Sequence, residues 1–296
     1  MKIKETAGDR TFNVVNTAIL VTFTLMVLYP LIFVISASFS SAEAIANQEV
    51  YLWPVGFNTD AYATVWESPN LLSGFGNAVV YTIGGALIGT VLTVLAGYGA
   101  SREDVPFRRV ITIFFLIPTL VSAGIVPTYI VVKQLGLLDT RWAVLLPGAM
   151  SVFNVIITRT FYKMSIPNEL LEAARVDGAN DFHFFFRVAI PLSKPIIAVN
   201  LLFYGLAQWN GWFSAYLYTN DLGLAPIQLV LRQLLANSQI DPAMIGGGDV
   251  TEILKRRELF DKLKYAMIVI AMIPPLIAYP FVQKHFVKGA MIGSLK

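Results

Sequence analysis

The stretch Asn168–Pro191, NELLEAARVDGANDFHFFFRVAIP, is polar and lies between two strongly apolar regions. Asn168 follows Ile166-Pro167 and suits a helix N-cap, since its side-chain oxygen can take an orphan backbone N–H. Glu169 and Glu172 place negative charge in the first turn, where the helix dipole favours it. Leu170, Leu171, Ala173 and Ala174 are strong helix formers. Gly178 then ends a short helix as a C′ glycine. A second short helix is expected from Ala179, carrying Phe182, Phe184, Phe185 and Phe186, and Pro191 is expected to open the next long helix. The expectation is helix, glycine turn, helix, held between two membrane spans.

Working outward, 56% of the 296 residues are hydrophobic and only 14% are charged, too apolar for a soluble domain. A span needs roughly 20 apolar residues. Six suitable stretches occur, at about 12–39, 72–100, 110–132, 142–158, 191–218 and 265–281. The fold class expected is therefore an all-α integral membrane protein with six transmembrane helices in one domain over 1–296, with a cytoplasmic loop at 163–190. The run from Phe12 to Phe39 exceeds the roughly 7–15 residue core of a signal peptide and reads as an uncleaved first span. Pro118 and Pro127 are expected to kink the third span, and Pro147-Gly148 to make the fourth irregular. Gly85-x-x-x-Gly89 in the second permits close helix approach.

Six spans put both termini on one side of the membrane. With the termini cytoplasmic, 14 Lys and Arg fall inside and eight outside. Six of those eight lie in the second long external segment, about 220–264, against the positive-inside rule. An even number of spans is retained because no seventh apolar run exists. The first external segment, 40–72, holds four acids and no Lys or Arg.

The net charge of +3 belongs to loop Lys and Arg and calls for no nucleic acid. No cysteine is present, which excludes disulfides and thiolate chemistry. His183 and His285 are too far apart for a local metal motif. No Gly-x-x-x-x-Gly-Lys-Ser/Thr phosphate loop occurs, so any ATP and Mg would be bound on another chain. Enzyme chemistry is not expected. The six stretches hold almost no charge, which argues against a proton-coupled pump. Gln208, Trp209, Asn210 and Trp212 form the most polar and aromatic cluster within the fifth stretch, with Gln208, Trp212 and Tyr216 spaced as one helix face. Aromatic faces and amides suit sugar rings; the plainer reading is an interfacial aromatic belt.

Glu172-Ala173-Ala174, Gly178 and Val188-Ala189-Ile190-Pro191 keep the spacing of the EAA loop, with Val188 and Ile190 as conservative departures. The loop resembles that of the transmembrane subunits of binding-protein-dependent ABC importers. The whole chain looks like a carbohydrate-uptake permease of the maltose type, and the ending from Tyr279 to Lys296 resembles that branch. The resemblance implies a permease subunit of the bacterial cytoplasmic (inner) membrane with both termini cytoplasmic. It implies a homologous second permease chain, two cytoplasmic ATPase subunits and an extracytoplasmic solute-binding protein as partners. Glu172, Ala173, Ala174, Gly178 and Pro191 are the residues it assigns to ATPase coupling. A self-contained channel or secondary transporter is the alternative, opposed by the loop and by the charge-free spans.

Overall fold

The computed structural model describes residues 6–121, 123–238 and 263–280, and every regular element among them is helical. They fall into two compact units, residues 1–68 with 231–272 and residues 69–230 with 273–296.

In the first unit, α1 (Ala7–Ser38) opens with a capping box between Thr6 and Asp9. Its 32 residues make about 48 Å of helix, ample for a hydrocarbon core of about 30 Å. Apolar side chains from Phe12 to Tyr29 are exposed all round it, as on a lipid-facing helix. The Thr22 and Thr24 hydroxyls donate to the Ala18 and Leu20 carbonyls of the same helix at 2.8 Å, which satisfies them without water. Only the foot of α1 is buried. There Ser36 donates to the Leu52 carbonyl at 2.6 Å, Ser40 accepts from the Val55 N–H, and Ser38 accepts from the Tyr62 hydroxyl. These serines fasten the segment that carries α2 (Ala42–Ala46) and α3 (Asp60–Glu67). Tyr51, Trp53 and Trp66 stay exposed, as interfacial aromatics do.

The second unit is built on α4 (Pro69–Ser101), against which α8 (Val152–Ser165) and α12 (Lys194–Trp209) pack. A Cβ on Gly85 would fall 2.5 Å from Gln208 Cγ; on Gly89, 2.8 Å from the Ala149 carbonyl and the Tyr204 ring; on Gly97, 2.7 Å from Thr158. The expected close approach at Gly85 and Gly89 is thus made within this chain. Buried polar contacts join the same three helices. The Tyr204 hydroxyl meets Thr93 Oγ1 and accepts from the Ser151 N–H at 2.9 Å, and Asn200 donates to Thr158 at 2.8 Å.

Several expected spans are broken. The third divides into α5 (Arg108–Leu120) and α6 (Ile125–Gln134), bent by 118°. The break falls beside Gly124, whose φ of +81° no continuing helix accepts, and not at Pro118 or Pro127. Pro127 sits in the first turn of α6, where its missing N–H costs nothing. The fourth divides at Pro147-Gly148, between α7 (Arg141–Leu145) and α8, and α8 runs seven residues beyond the expected end at 158. The helix α14 (Ile227–Ser238) is apolar but too short to cross a membrane. By length and composition α1, α4 and α15 (Leu263–Pro280) can each do so, and two bent pairs can serve as broken spans. Pro274-Pro275 lies inside α15 without interrupting it.

The glycine contacts yield a first prediction. Gly89→Ala is expected to destabilise the detergent-solubilised protein by about 1–3 kcal/mol, because a carbonyl and a ring must give way. Gly99→Ala, where a Cβ meets nothing within 4 Å, is expected to be neutral or to stabilise by up to about 1 kcal/mol. Thermal unfolding followed by tryptophan fluorescence measures both.

Candidate functional site

The polar stretch folds as α9 (Asn168–Val176), α10 (Asp181–Phe184), a wide π-turn over Phe185–Ala189, and α11 (Ile190–Leu192). Asn168 is not the N-cap; Pro167 holds that position, and the Asn168 amide donates instead to Glu103 Oε2 at 3.1 Å. At the far end, the Gly178 N–H bonds the Arg175 carbonyl and the Ala179 N–H bonds the Ala174 carbonyl, a Schellman closure. Gly178 carries φ +81°, and a Cβ there would meet nothing within 4 Å. Its role is the left-handed turn, not close packing.

The helix has two distinct faces. Leu171 and Ala174 point into a cluster with Val94, Tyr162, Phe184 and Phe185. Glu172 and Ala173 are exposed, and Val176 is 87% exposed. The two alanines of the motif therefore differ: Ala174 packs within this chain and Ala173 faces outward. The four phenylalanines divide likewise, with Phe184 and Phe185 buried and Phe182 and Phe186 exposed at 77% and 63%.

Pro191 does not open the long helix. It lies inside α11, and the chain then bends by 74° before α12 begins at Lys194, with Pro195 in its first turn. A proline ring clashes with the carbonyl four residues back, here Arg187. The π-turn, in which the Ile190 N–H reaches the Phe185 carbonyl, widens the backbone where that clash would fall. Ser193, fully buried, caps the bend by donating its hydroxyl to the Ala189 carbonyl.

The residues just after α4 hold this loop. Arg102, with its side chain 10% exposed, donates from Nε to Asp104 at 2.7 Å and from Nη1 to the Tyr98 hydroxyl at 2.7 Å, and it reaches Asp181 at 3.1 Å. Arg175 reaches Asp104 at 2.7 Å and Asp181 at 3.2 Å. Two arginines and two aspartates thus form a closed ring in which each acid meets both bases. Hydrogen bonds from Arg102, and secondarily from Arg175, hold the Asp104 and Asp181 carboxyls below the usual carboxylate range. Next to the ring, a polar cavity of about 210 Å³ separates part of α9 from the ends of α4 and α8.

Gln208, Trp209, Asn210 and Trp212, the four residues expected to border the translocation path, straddle a helix break. α12 ends at Trp209, and α13 (Phe213–Tyr218) is a separate helix, so Gln208, Trp212 and Tyr216 do not share one helix face. Asn210-Gly211 makes the break, with the exposed Asn210 amide donating to the Leu206 carbonyl at 2.9 Å. Gln208 lies against Gly85. Trp212 packs on the Tyr81, Val144 and Leu145 core and makes ring contacts with Phe213 and Tyr216. Trp209, 4% exposed, stands edge-on to Phe75 and lines an apolar cavity of about 500 Å³ with Val79, Ala86, Gly205 and Pro274.

The family described as the inner membrane component of binding-protein-dependent transport systems matches residues 89–291. The chain belongs to this family. It is 38% identical over 291 residues to the polygalacturonan/rhamnogalacturonan transport system permease protein YtcP of Bacillus subtilis, covering 97% of this chain and 99% of that one. Protein LplC of the same organism is also 38% identical, covering 98% and 97%. A chain from the crystal structure of a bacterial ABC transporter involved in the import of the acidic polysaccharide alginate is similar with a TM-score of 0.85 and 32% identity, covering 96% of this chain and all of that one.

This permease is an integral membrane protein, and its family comprises transport components. The ring around Arg102 and Arg175 was not foreseen from the permease's sequence. Arg102-x-Asp104 at the end of an apolar run was the visible signal, but nothing local points to partners 71 and 79 residues away. The carboxyl shifts set a pH expectation. A depressed folded pKa contributes stability above the ordinary value of 3.8, and that contribution is lost as pH falls through the depressed folded value. Unfolding temperature is therefore expected to owe nothing to the ring's titration between pH 8 and 5 and to fall below about pH 4. Asp104→Asn should lower the unfolding temperature at neutral pH and shrink its acid-dependent drop, which a pH series of thermal unfolding curves would show.

Proposed function

We propose that this permease is one transmembrane subunit of an ATP-driven importer of a sugar or oligosaccharide, and that it couples to a separate ATPase through the 168–191 loop. One observation carries the coupling assignment: α9 is anchored inward by Leu171 and Ala174 while Glu172, Ala173, Val176, Phe182 and Phe186 stand exposed. Large apolar side chains exposed on an otherwise polar loop fit a partner protein's cleft. Glu172 is the acid placed to meet a basic residue of that cleft, and Ala173 lets the backbone come close. ATP and Mg are bound by the partner, two copies of a cytoplasmic ATPase. A homologous second permease chain and an extracytoplasmic solute-binding protein complete the assembly, which works in the bacterial inner membrane by alternating access. A self-contained channel or secondary transporter leaves this exposed face without a purpose.

The names of the similar proteins support an oligosaccharide cargo. The solved relative's cargo is described as acidic. The near-absence of charge in the apolar stretches therefore does not restrict this permease to neutral sugars. The cargo path is assigned to the end of α12, where Trp209 lines a cavity and Asn210 is exposed beside the helix break. Gln208 and Trp212 support that end from within the fold.

Three measurements check these assignments. Glu172→Ala is expected to lose ATPase co-purification or to uncouple hydrolysis from uptake, since truncating one partner of a buried charge pair costs about 2–5 kcal/mol. Normal ATPase binding together with normal vesicle uptake would remove the loop from the coupling role. Gly178→Val should act in the same direction through backbone strain, whereas Gly178→Asn, which tolerates positive φ, should be milder. For the cargo path, Asn210→Leu is expected to lower uptake several-fold with assembly intact, and unchanged uptake in both Asn210→Leu and Trp209→Ala would place the path elsewhere. For topology, cysteines introduced singly at residues 60 and 240 should react with impermeant reagents from outside; reaction only from the cytoplasmic side would reverse the orientation.

A further inference from the structure

The tripeptide Arg102-Glu103-Asp104 touches both ends of α9. Glu103 Oε2 accepts from the Asn168 amide at 3.1 Å, at the first residue of the helix. Asp104 accepts from Arg175 at 2.7 Å, near the last. Those two attachment points are seven residues apart, about 10 Å along the helix axis. Asp181, at the start of α10, completes the ring with Arg102 and Arg175. Glu103 is itself steadied by Arg108 at 3.3 Å, on the first turn of α5.

Leu171 and Ala174 are the inward anchors of α9, and the polar cavity lies beside its Asn168–Leu171 end. A short helix with a void on one side can tilt about its apolar anchor. Polar contacts at its two ends oppose that tilt. They end in a tripeptide that continues directly from Ser101, the last residue of α4. Arg102 in turn is set by Tyr98 of α4, through a 2.7 Å hydrogen bond and a position 5.6 Å from the ring centre. The Tyr98 ring packs on Tyr162 of α8 and on Phe185 of the loop itself, so Arg102 is set where α4, α8 and the loop meet.

We propose that Arg102, Glu103 and Asp104 are positioning residues that hold α9 at both ends, so that a displacement of α9 is delivered to α4. This rests on the coupling role of the 168–191 loop. It adds a route: motion enters α4 directly at its cytoplasmic end, and not only by way of the bent connection through Pro191 and Ser193 to α12. α4 is the helix on which α8 and α12 pack. A force at its end therefore moves the core of this unit as one body. A loosened α9 would still present Glu172 and Ala173 to the ATPase but would tilt under load and leave α4 where it was.

The test uses the assembled importer in proteoliposomes, with the Glu103→Ala/Asp104→Ala double variant. Both side chains are partly exposed, so the variant removes the acceptors for Asn168, Arg175 and Arg102 without emptying a buried site. ATPase co-purification and ATP hydrolysis are expected to stay near wild type, while uptake per ATP hydrolysed falls at least about three-fold. A spin label at Val176→Cys, in a chain without other cysteines, should become more mobile in the double variant. A merely structural role would lower assembly or unfolding temperature without shifting the ratio of uptake to hydrolysis. An unchanged ratio together with unchanged label mobility overturns the proposal. Should the double variant not assemble, Arg175→Gln, at the exposed side of the ring, is read by the same ratio and the same label mobility, and unchanged values there overturn the proposal equally. Glu172→Ala run in parallel separates the two ideas. Normal coupling in that variant defeats the loop assignment itself, whereas a defect there beside a normal double variant defeats only the route through α4.

Discussion

Within the second unit, the geometry depends on how closely two helices can approach α4. In lipid, apolar side chains gain little by leaving one apolar surrounding for another, so association rests on tight van der Waals packing and on buried polar contacts. Gly85, Gly89 and Gly97 recur at intervals of four and eight residues, which places them along one side of α4. Gln208 and Tyr204 of α12 and Thr158 of α8 occupy the space that side chains would fill. Bringing the backbones together also brings hydroxyls and amides within reach of one another. Thr93, Tyr204 and Asn200 find partners across the helices rather than within them. Each such contact would be costly to break where no water can replace it.

α4 is also tied to segments far away in the chain. In its first half Asn77 and Tyr81 donate to the carbonyls of Gly223 and Leu224, at 2.6 and 2.8 Å, which fastens the turn after α13. Just beyond its last residue, the Arg102 ring fastens the loop that carries α9. A helix held by glycine contacts and by polar ones at several points along its length is suited to move as a unit. The contrast with α1 is plain. That helix is exposed along most of its length, and among the described residues its contacts gather toward its foot, where Ser36, Ser38, Ser40, Ala37 and Phe33 pack.

The broken helices follow from local backbone chemistry acting inside this packed frame. Proline does not by itself break a helix here: Pro30, Pro118 and Pro274-Pro275 all lie within continuous ones. The breaks fall where glycine takes positive φ, at Gly124 and Gly148, or at the Asn210-Gly211 pair. Pro191 is accommodated differently, by a widened turn before it and a bend after it. Between α9 and α12, therefore, the chain has a joint and not one straight rod. A joint of that kind absorbs rotation, which gives the direct hold on α4 its mechanical interest.

Much was written in the sequence itself. The short helix from Asn168 follows from its helix formers, and its end follows from Gly178, because these are interactions between near neighbours. The apolar character of α1, α4 and α15 follows from composition over about 20 residues, and the spacing of Glu172, Ala173, Ala174, Gly178 and Pro191 was enough to indicate the family. The tertiary structure decided what depends on distant partners. The two motif alanines look alike in sequence, yet only the position of Tyr162 and Phe184 determines that Ala174 is covered and Ala173 is not. Gln208, Trp212 and Tyr216 fit one helical face by spacing, but the break at Asn210-Gly211 separates Gln208 from the other two. The ring of Arg102, Asp104, Arg175 and Asp181 joins charges more than 70 residues apart, so it exists only once α4 and α9 have been brought together by packing. Local order could be read because its causes lie within a few residues, whereas the attachments of the loop could not, because their energy comes from pairs that the chain's order does not reveal.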